Sequence, residues 1–215
     1  MPPSVIIVFG DGFLGLANWQ GKLQGIPNIL LDVHQYVIFN VEQIALSHSA
    51  KIDFACQGWT QQTEQSSSTT TGFGNFLCGE WSQADTDCAP YLNDVGVGSR
   101  WQGTLDSGNA TTSVLKPTCP TQNNLQCICN LANASPSTYT ATYKQWLLQF
   151  AEAQMQSFEL GWGHFYWTWD TEQATQWSWK KGMAAGILPT NVTSRTFNCQ
   201  EAIPDFAALG LSESY

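Results

Sequence analysis

Ile29-Leu-Leu-Asp32-Val-His34-Gln-Tyr36 begins as an apolar run and turns polar at its end. Ile29 to Val33 reads as a buried strand, since short apolar runs without alternation suit a parallel sheet covered on both faces. Ser4 to Phe9 has the same character and ends at Gly10-Asp11-Gly12. Phe73 to Cys78 is a third such run, ending at Gly79-Glu80-Trp81, and Gly161 to Thr168 is a fourth. Between them lie segments read as helical: Phe13 to Leu23, Val41 to Ser49, Ala84 to Val95, and one beginning at Ser135-Pro136, an N-cap followed by proline. In that last helix Tyr139, Tyr143, Trp146, Leu147, Phe150 and Phe158 share one apolar face, which is core. Trp179 to Ala185 predicts a short final helix. Thr60 to Gly72 is a polar Gln/Ser/Thr tract read as a surface loop, Ser107 to Asn133 a long stapled loop, and Asn198 to Tyr215 an irregular tail. Strands alternating with helices imply an α/β chain with parallel pairing.

The polar and aromatic residues collect where each strand ends: Asp11, then His34 and Tyr36, then Glu80, then Trp167. In an α/β barrel those ends form the active face. His34 and Tyr36 stand two apart, so they point to the same side.

Composition excludes several functions. The 215 residues carry a net charge of −9, with only eight Lys and Arg. Those cations form no basic patch in the sequence, which argues against nucleic acid. No run approaches the roughly 18 apolar residues of a membrane helix, and an acidic chain gains nothing from an anionic membrane surface. Ten Trp and 11 Phe are a heavy aromatic load. Most will pack the core, and some suit the flat faces of sugar rings. A neutral polymer fits this chemistry, with no metal and no cofactor called for.

Seven cysteines at Cys56, Cys78, Cys88, Cys119, Cys127, Cys129 and Cys199 match no zinc spacing, and their odd number leaves one unpaired within the chain. Asn109-Ala-Thr and Asn191-Val-Thr are glycosylation sequons; Asn133-Ala-Ser is a weaker one because Pro136 follows. Together these favour an oxidising, secretory setting, extracellular or cell wall. Met1-Pro-Pro-Ser-Val-Ile-Ile-Val-Phe9 is not a signal peptide. Secreted features without that leader lead to the expectation that the chain's beginning is missing.

A set of ordered segments carries a resemblance. They are Leu31-Asp-Val-His-Gln-Tyr36, Cys78-Gly-Glu-Trp-Ser82, Thr86-Asp-Cys-Ala-Pro-Tyr-Leu-Asn93, Gly98-Ser-Arg-Trp-Gln-Gly103, Ala153-Gln-Met-Gln-Ser-Phe158, Phe165-Tyr-Trp-Thr-Trp-Asp-Thr-Glu172, Gly186-Ile-Leu-Pro189 and Asn198-Cys199. In this order they resemble the C-terminal part of fungal exo-β-1,3-glucanases of glycoside hydrolase family 5. The resemblance implies the C-terminal half of a (β/α)8 barrel, roughly strands five to eight, as a partial catalytic domain over residues 1–215 with an irregular tail from 200. It implies Glu80 as the nucleophile, with His34 and Tyr36 beside it. It implies Trp167 as the floor under the sugar, and Phe39, Phe13, Asn93 and Asp11 as further sugar contacts. Gly10 departs from the family pattern, which has histidine before that Asp. The implied disulfides are Cys56 with Cys199 and Cys88 with Cys119; the pairing of Cys78, Cys127 and Cys129 stays open.

The activity implied is retaining hydrolysis of β-1,3-glucan from the non-reducing end. A retaining glycosidase needs two carboxyls about 5 Å apart. The family's acid/base is the Glu of an Asn-Glu pair, and no Asn-Glu occurs in this sequence. The partner implied is therefore an N-terminal barrel half, without which this chain is expected to be inactive. The alternative is a non-catalytic, glucan-binding or vestigial half-barrel.

Overall fold

A computed structural model describes residues 5–120 and 127–213. Its frame is a four-stranded sheet in the order β1 (Ile7–Gly10), β2 (Ile29–Gln35), β3 (Phe76–Trp81), β4 (His164–Tyr166). Every pairing is parallel. Each of the four apolar runs delivers one strand, so the α/β reading holds. A Gly15–Gln20 turn around Leu16–Trp19, not a longer helix, follows β1.

After β2, Asn40 caps α1 (Val41–Ile44) by accepting from the N–H groups of Glu42 and Gln43. Ser47 caps α2 (His48–Asp53) in the same manner. The helical path then continues through a π-helical stretch, Phe54–Trp59, into α3 (Thr60–Ser67). The polar tract expected as a surface loop is thus helical over most of its length. Its inward residues explain why: Thr63 and Ser66 are buried, and Thr60 Oγ1 lies 2.9 Å from Ser157 Oγ on the neighbouring helix. Hydroxyls facing hydroxyls satisfy a contact that carries no apolar signature in the sequence.

The opposite error falls at Ala84 to Val95, which forms no helix. Asp87 organises this segment instead. Its buried carboxylate accepts from the backbone N–H groups of Arg100 (2.7 Å) and Trp101 (3.0 Å) and from Asn93 Nδ2 (3.0 Å). Tyr91 and Asp94 take left-handed backbone angles there, which no helix accommodates. The long loop that follows contains only a short helix, α4 (Cys129–Ala132), and one isolated bridge between Leu105 and Val114 among the described residues.

The helix expected from Ser135-Pro136 resolves into a short 3-10 turn, Pro136–Thr138, and then α5 (Ala141–Phe158), capped by Thr140. Its expected apolar face packs under the sheet, with Trp146, Leu147, Phe150 and Phe158 essentially inaccessible. Burying each such side chain stabilises the fold by about 1.5–3 kcal/mol. Helix α6 (Trp179–Ala185) closes on Gly186 in the left-handed conformation. The irregular tail is tied down: Phe206 is fully buried, and Ser49 Oγ donates to Pro204 O at 2.8 Å.

Three disulfides cross-link the chain: Cys56–Cys199, Cys88–Cys129 and Cys119–Cys127. The first matches the expectation. The second corrects it: Cys88 takes Cys129, not Cys119. The turn at Cys129–Ala132 lies against the Cys88 segment, where Asn133 Nδ2 donates to Cys88 O at 2.7 Å, and Cys119 pairs with Cys127, eight positions on. Cys78 is the free thiol, buried in β3.

Candidate active site

The carboxyl ends of β2 and β3 make the site. On β2, alternation buries Leu31 and Val33 against the helices and turns Asp32, His34 and then Tyr36 to the other face. On β3 the register slips between Val33 and His34. Val33 pairs with Cys78 but His34 pairs with Glu80, so Gly79 is passed over as a bulge. That slip sets Glu80 directly opposite His34.

Glu80 Oε2 accepts from the Tyr36 hydroxyl at 3.1 Å and lies 3.3 Å from His34 Nδ1. Both contacts fall on one oxygen, Oε2, of a side chain about a quarter exposed. Burial pushes the Tyr36 phenol up, and the negative charge of Glu80 and the hydrogen bond to it push it further. Tyr36 is therefore a donor over the whole neutral range. Beneath, the Cys78 thiol donates to Glu80 O at 3.3 Å, and burial pushes that thiol well up. Tyr36 rests on Trp177, ring centroids 5.4 Å apart.

Aromatics flank these groups. Phe13 is 83% exposed, and its ring meets His34 edge-on at 5.7 Å. Phe39 is 42% exposed, meets Tyr36 edge-on at 5.3 Å, and carries the Arg100 guanidinium over its other side at 5.8 Å. Trp167 is half exposed at the end of β4, its backbone N–H donating to Trp81 O at 2.9 Å; its peptide bond to Thr168 is cis. Trp169 is 64% exposed in the next turn.

Two residues expected as sugar contacts hold loops in this structure. Asp11 is buried, and its two oxygens accept from the N–H groups of Phe13 (3.0 Å) and Gly15 (3.1 Å). It holds the turn that presents Phe13. Asn93 Nδ2 donates to Asp87 and Gly98 O, and Asn93 Oδ1 accepts from Arg100 at 2.9 Å. Its amide is committed to the Asp87 loop. Sequence reading passed over Asp32, Arg100 and Trp177; alternation along β2 could have found the first.

The site is an open face. A groove of about 950 Å³ between α1 and residues 106–118, and one of about 680 Å³ between residues 133–137 and α6, are lined by neither Glu80 nor His34. Both sequons are exposed and pre-folded. Thr111 Oγ1 donates to Asn109 Oδ1, and Thr193 Oγ1 to Asn191 Oδ1, each at 2.8 Å.

A carboxylate, an imidazole and a phenol thus meet at adjacent strand ends of a parallel α/β sheet, flanked by exposed aromatics. The particular relatives are fungal. The chain is 48% identical over 208 residues to "Probable glucan 1,3-beta-glucosidase D" of Aspergillus clavatus and 47% identical over 208 residues to the protein of that name from Aspergillus fumigatus. It is 47% identical over 204 residues to "Glucan 1,3-beta-glucosidase D" of Emericella nidulans. These alignments take in 94–96% of this chain but 24% of each relative. The chain therefore spans about a quarter of the length of the curated relatives it matches. The resemblance carried by the ordered motifs is borne out by these homologues. No protein-family model matches the chain.

Proposed function

We propose that this chain is the nucleophile-bearing part of a longer, secreted retaining glycoside hydrolase that releases glucose from the non-reducing end of β-1,3-glucan. The observation that carries this reading is the paired hold of Tyr36 and His34 on one oxygen of Glu80. A carboxylate so held, partly exposed and flanked by aromatics, suits attack on an anomeric carbon. Attack forms a covalent glycosyl-enzyme through an oxocarbenium-like transition state. Trp167, Phe39 and Phe13 would stack on sugar rings; Asp11 and Asn93 would act by holding their loops. The four parallel strands are half of a (β/α)8 barrel in this reading. The acid/base carboxyl comes from the part of the protein outside these residues. The 215 residues alone would then turn over no substrate.

The homologues' names support the substrate class, and three disulfides suit an extracellular or wall-bound protein. Laminarin hydrolysis by the full-length protein tests the reading. Glu80→Gln is expected to lower turnover by about 10³-fold or more, as for loss of an essential nucleophile. Undiminished glucose release by that variant would falsify the assignment. Binding of laminarin by a wild-type full-length protein that cuts nothing would favour a glucan-binding role instead.

A further inference from the structure

Asp32 is the one member of the β2 polar face that the reaction so far leaves unused. Asp32, His34 and Tyr36 follow at alternate positions on one side of the strand. Asp32 Oδ2 lies 3.6 Å from His34 Nε2, while His34 Nδ1 lies 3.3 Å from Glu80 Oε2. The imidazole thus bridges two carboxylates. Asp32 Oδ1 is buried and has no hydrogen-bond partner among the described residues. A carboxylate oxygen taken out of water without a donor is costly and calls for a reason.

A structural role is the first alternative, and the neighbouring acids show what one looks like here. Asp11 accepts from two backbone N–H groups, and Asp87 from two backbone N–H groups and two side chains. Asp32 caps no turn and closes no loop. The opposite strand instead makes room for it. A Cβ built on Gly79 would lie 1.9 Å from Asp32 Oδ1, so only glycine fits at the bulge between Cys78 and Glu80. The same bulge brings Glu80 level with His34. One glycine therefore serves both carboxylates at once.

We propose that Asp32 is a positioning residue for Glu80 that acts through His34. Its carboxylate faces Nε2 at 3.6 Å and fixes the rotation of the ring, so that Nδ1 stays on Glu80 Oε2, each nitrogen turning its hydrogen to a carboxylate. With Tyr36 on the same oxygen, Glu80 is held from two directions and its Oε1 keeps one aim. The groups around the ring are Asp32, Glu80 and, edge-on, Phe13. This step rests on the reading of Glu80 as the nucleophile.

The test is a double-mutant cycle in the full-length protein with laminarin as substrate. Glu80→Gln comes first: if turnover survives it, the nucleophile reading fails and not the Asp32 step. Given that loss, Asp32→Asn is expected to lower kcat about tenfold to a hundredfold, the range for removing the outer partner of a functional histidine. KM should change little, because Asp32 acts on Glu80 through His34 and not on the sugar in this proposal. In a His34→Ala background the same substitution should cost nothing further. A wild-type kcat in Asp32→Asn, or an equal loss with and without His34, overturns the proposal. Ring nitrogen NMR shifts of histidine-labelled wild-type protein decide it without any variant of Asp32. Hydrogens on both ring nitrogens of His34 are expected, and a ring carrying only one contradicts it.

Discussion

Tyr36 shows how burial sets a role. Its phenol is raised by burial first and by Glu80 second, so it keeps its proton well above neutral pH and donates without interruption. Losing a hydrogen bond to a charged group costs about 1.5–3 kcal/mol, roughly tenfold to a hundredfold in rate if the bond is made in the transition state. Tyr36→Phe in the full-length protein should lower kcat by that factor and leave the alkaline side of its pH–rate profile unmoved. A lost alkaline limb would mean that Tyr36 titrates as part of the reaction. The sequons separate at the same scale. All three asparagines are exposed, but Asn109 and Asn191 each have a threonine hydroxyl already on the side-chain amide oxygen, whereas Asn133 Nδ2 is bound to Cys88 O. In a eukaryotic secretory host, Asn109→Gln and Asn191→Gln should each remove one glycan mass, and Asn133→Gln none. His34, Tyr36 and Glu80 were legible because strand ends and alternation mark them. Asp32 does not stand out in the sequence, because only the register of β3 shows Gly79 making room for its carboxylate.

The elements differ in how much of themselves they reveal. The strands and α5 could be read because their partners are apolar and burial writes itself as a pattern. Helix α3 could not, since its contacts are Thr and Ser hydroxyls. Nor could the absence of a helix after Trp81, where one aspartate, Asp87, gathers backbone donors from 13 and 14 residues away. Disulfide partners depend on such loops, which is why Cys88 was assigned to the wrong cysteine. Helix α2 makes a testable contact with the tail. His48 is buried between Asp85 Oδ2 at 3.2 Å and Glu213 Oε2 at 2.9 Å from its ring nitrogens. Burial lowers the pKa of His48, but Asp85 and Glu213 override it against a smaller opposing effect of Lys51, and the net shift is upward. A group raised on folding stabilises below its unfolded pKa, and that contribution fades as pH rises through its folded value. Asp85 runs the other way. Burial raises it, but Lys51 and His48 win and hold it far below the carboxylate range. Its stabilisation is present above the unfolded carboxylate pKa and is lost progressively as pH falls below it. The thermal midpoint should therefore decline as pH rises from about 6.5 upward, and Glu213→Gln should flatten that decline. An unchanged slope in Glu213→Gln would remove the tail from the explanation.

At the scale of the molecule, β1 and β4 each pair on one side only among the described residues. Exposed apolar side chains line both, including Val8 on β1 and Phe165 on β4. Parallel sheets are ordinarily covered, and open edges invite association. The relatives, about four times longer, have ample chain to cover them. The account of catalysis depends on one claim above the others, that Glu80 forms the bond to sugar. Trapping measures it directly. The full-length protein is treated with a 2-deoxy-2-fluoro-β-glucosyl donor, which forms the glycosyl-enzyme but hydrolyses slowly, and is then digested and sequenced by mass spectrometry. The account predicts one added fluoroglucosyl group, carried on Glu80. A label on any other carboxylate, or turnover of laminarin with none on Glu80, would contradict it.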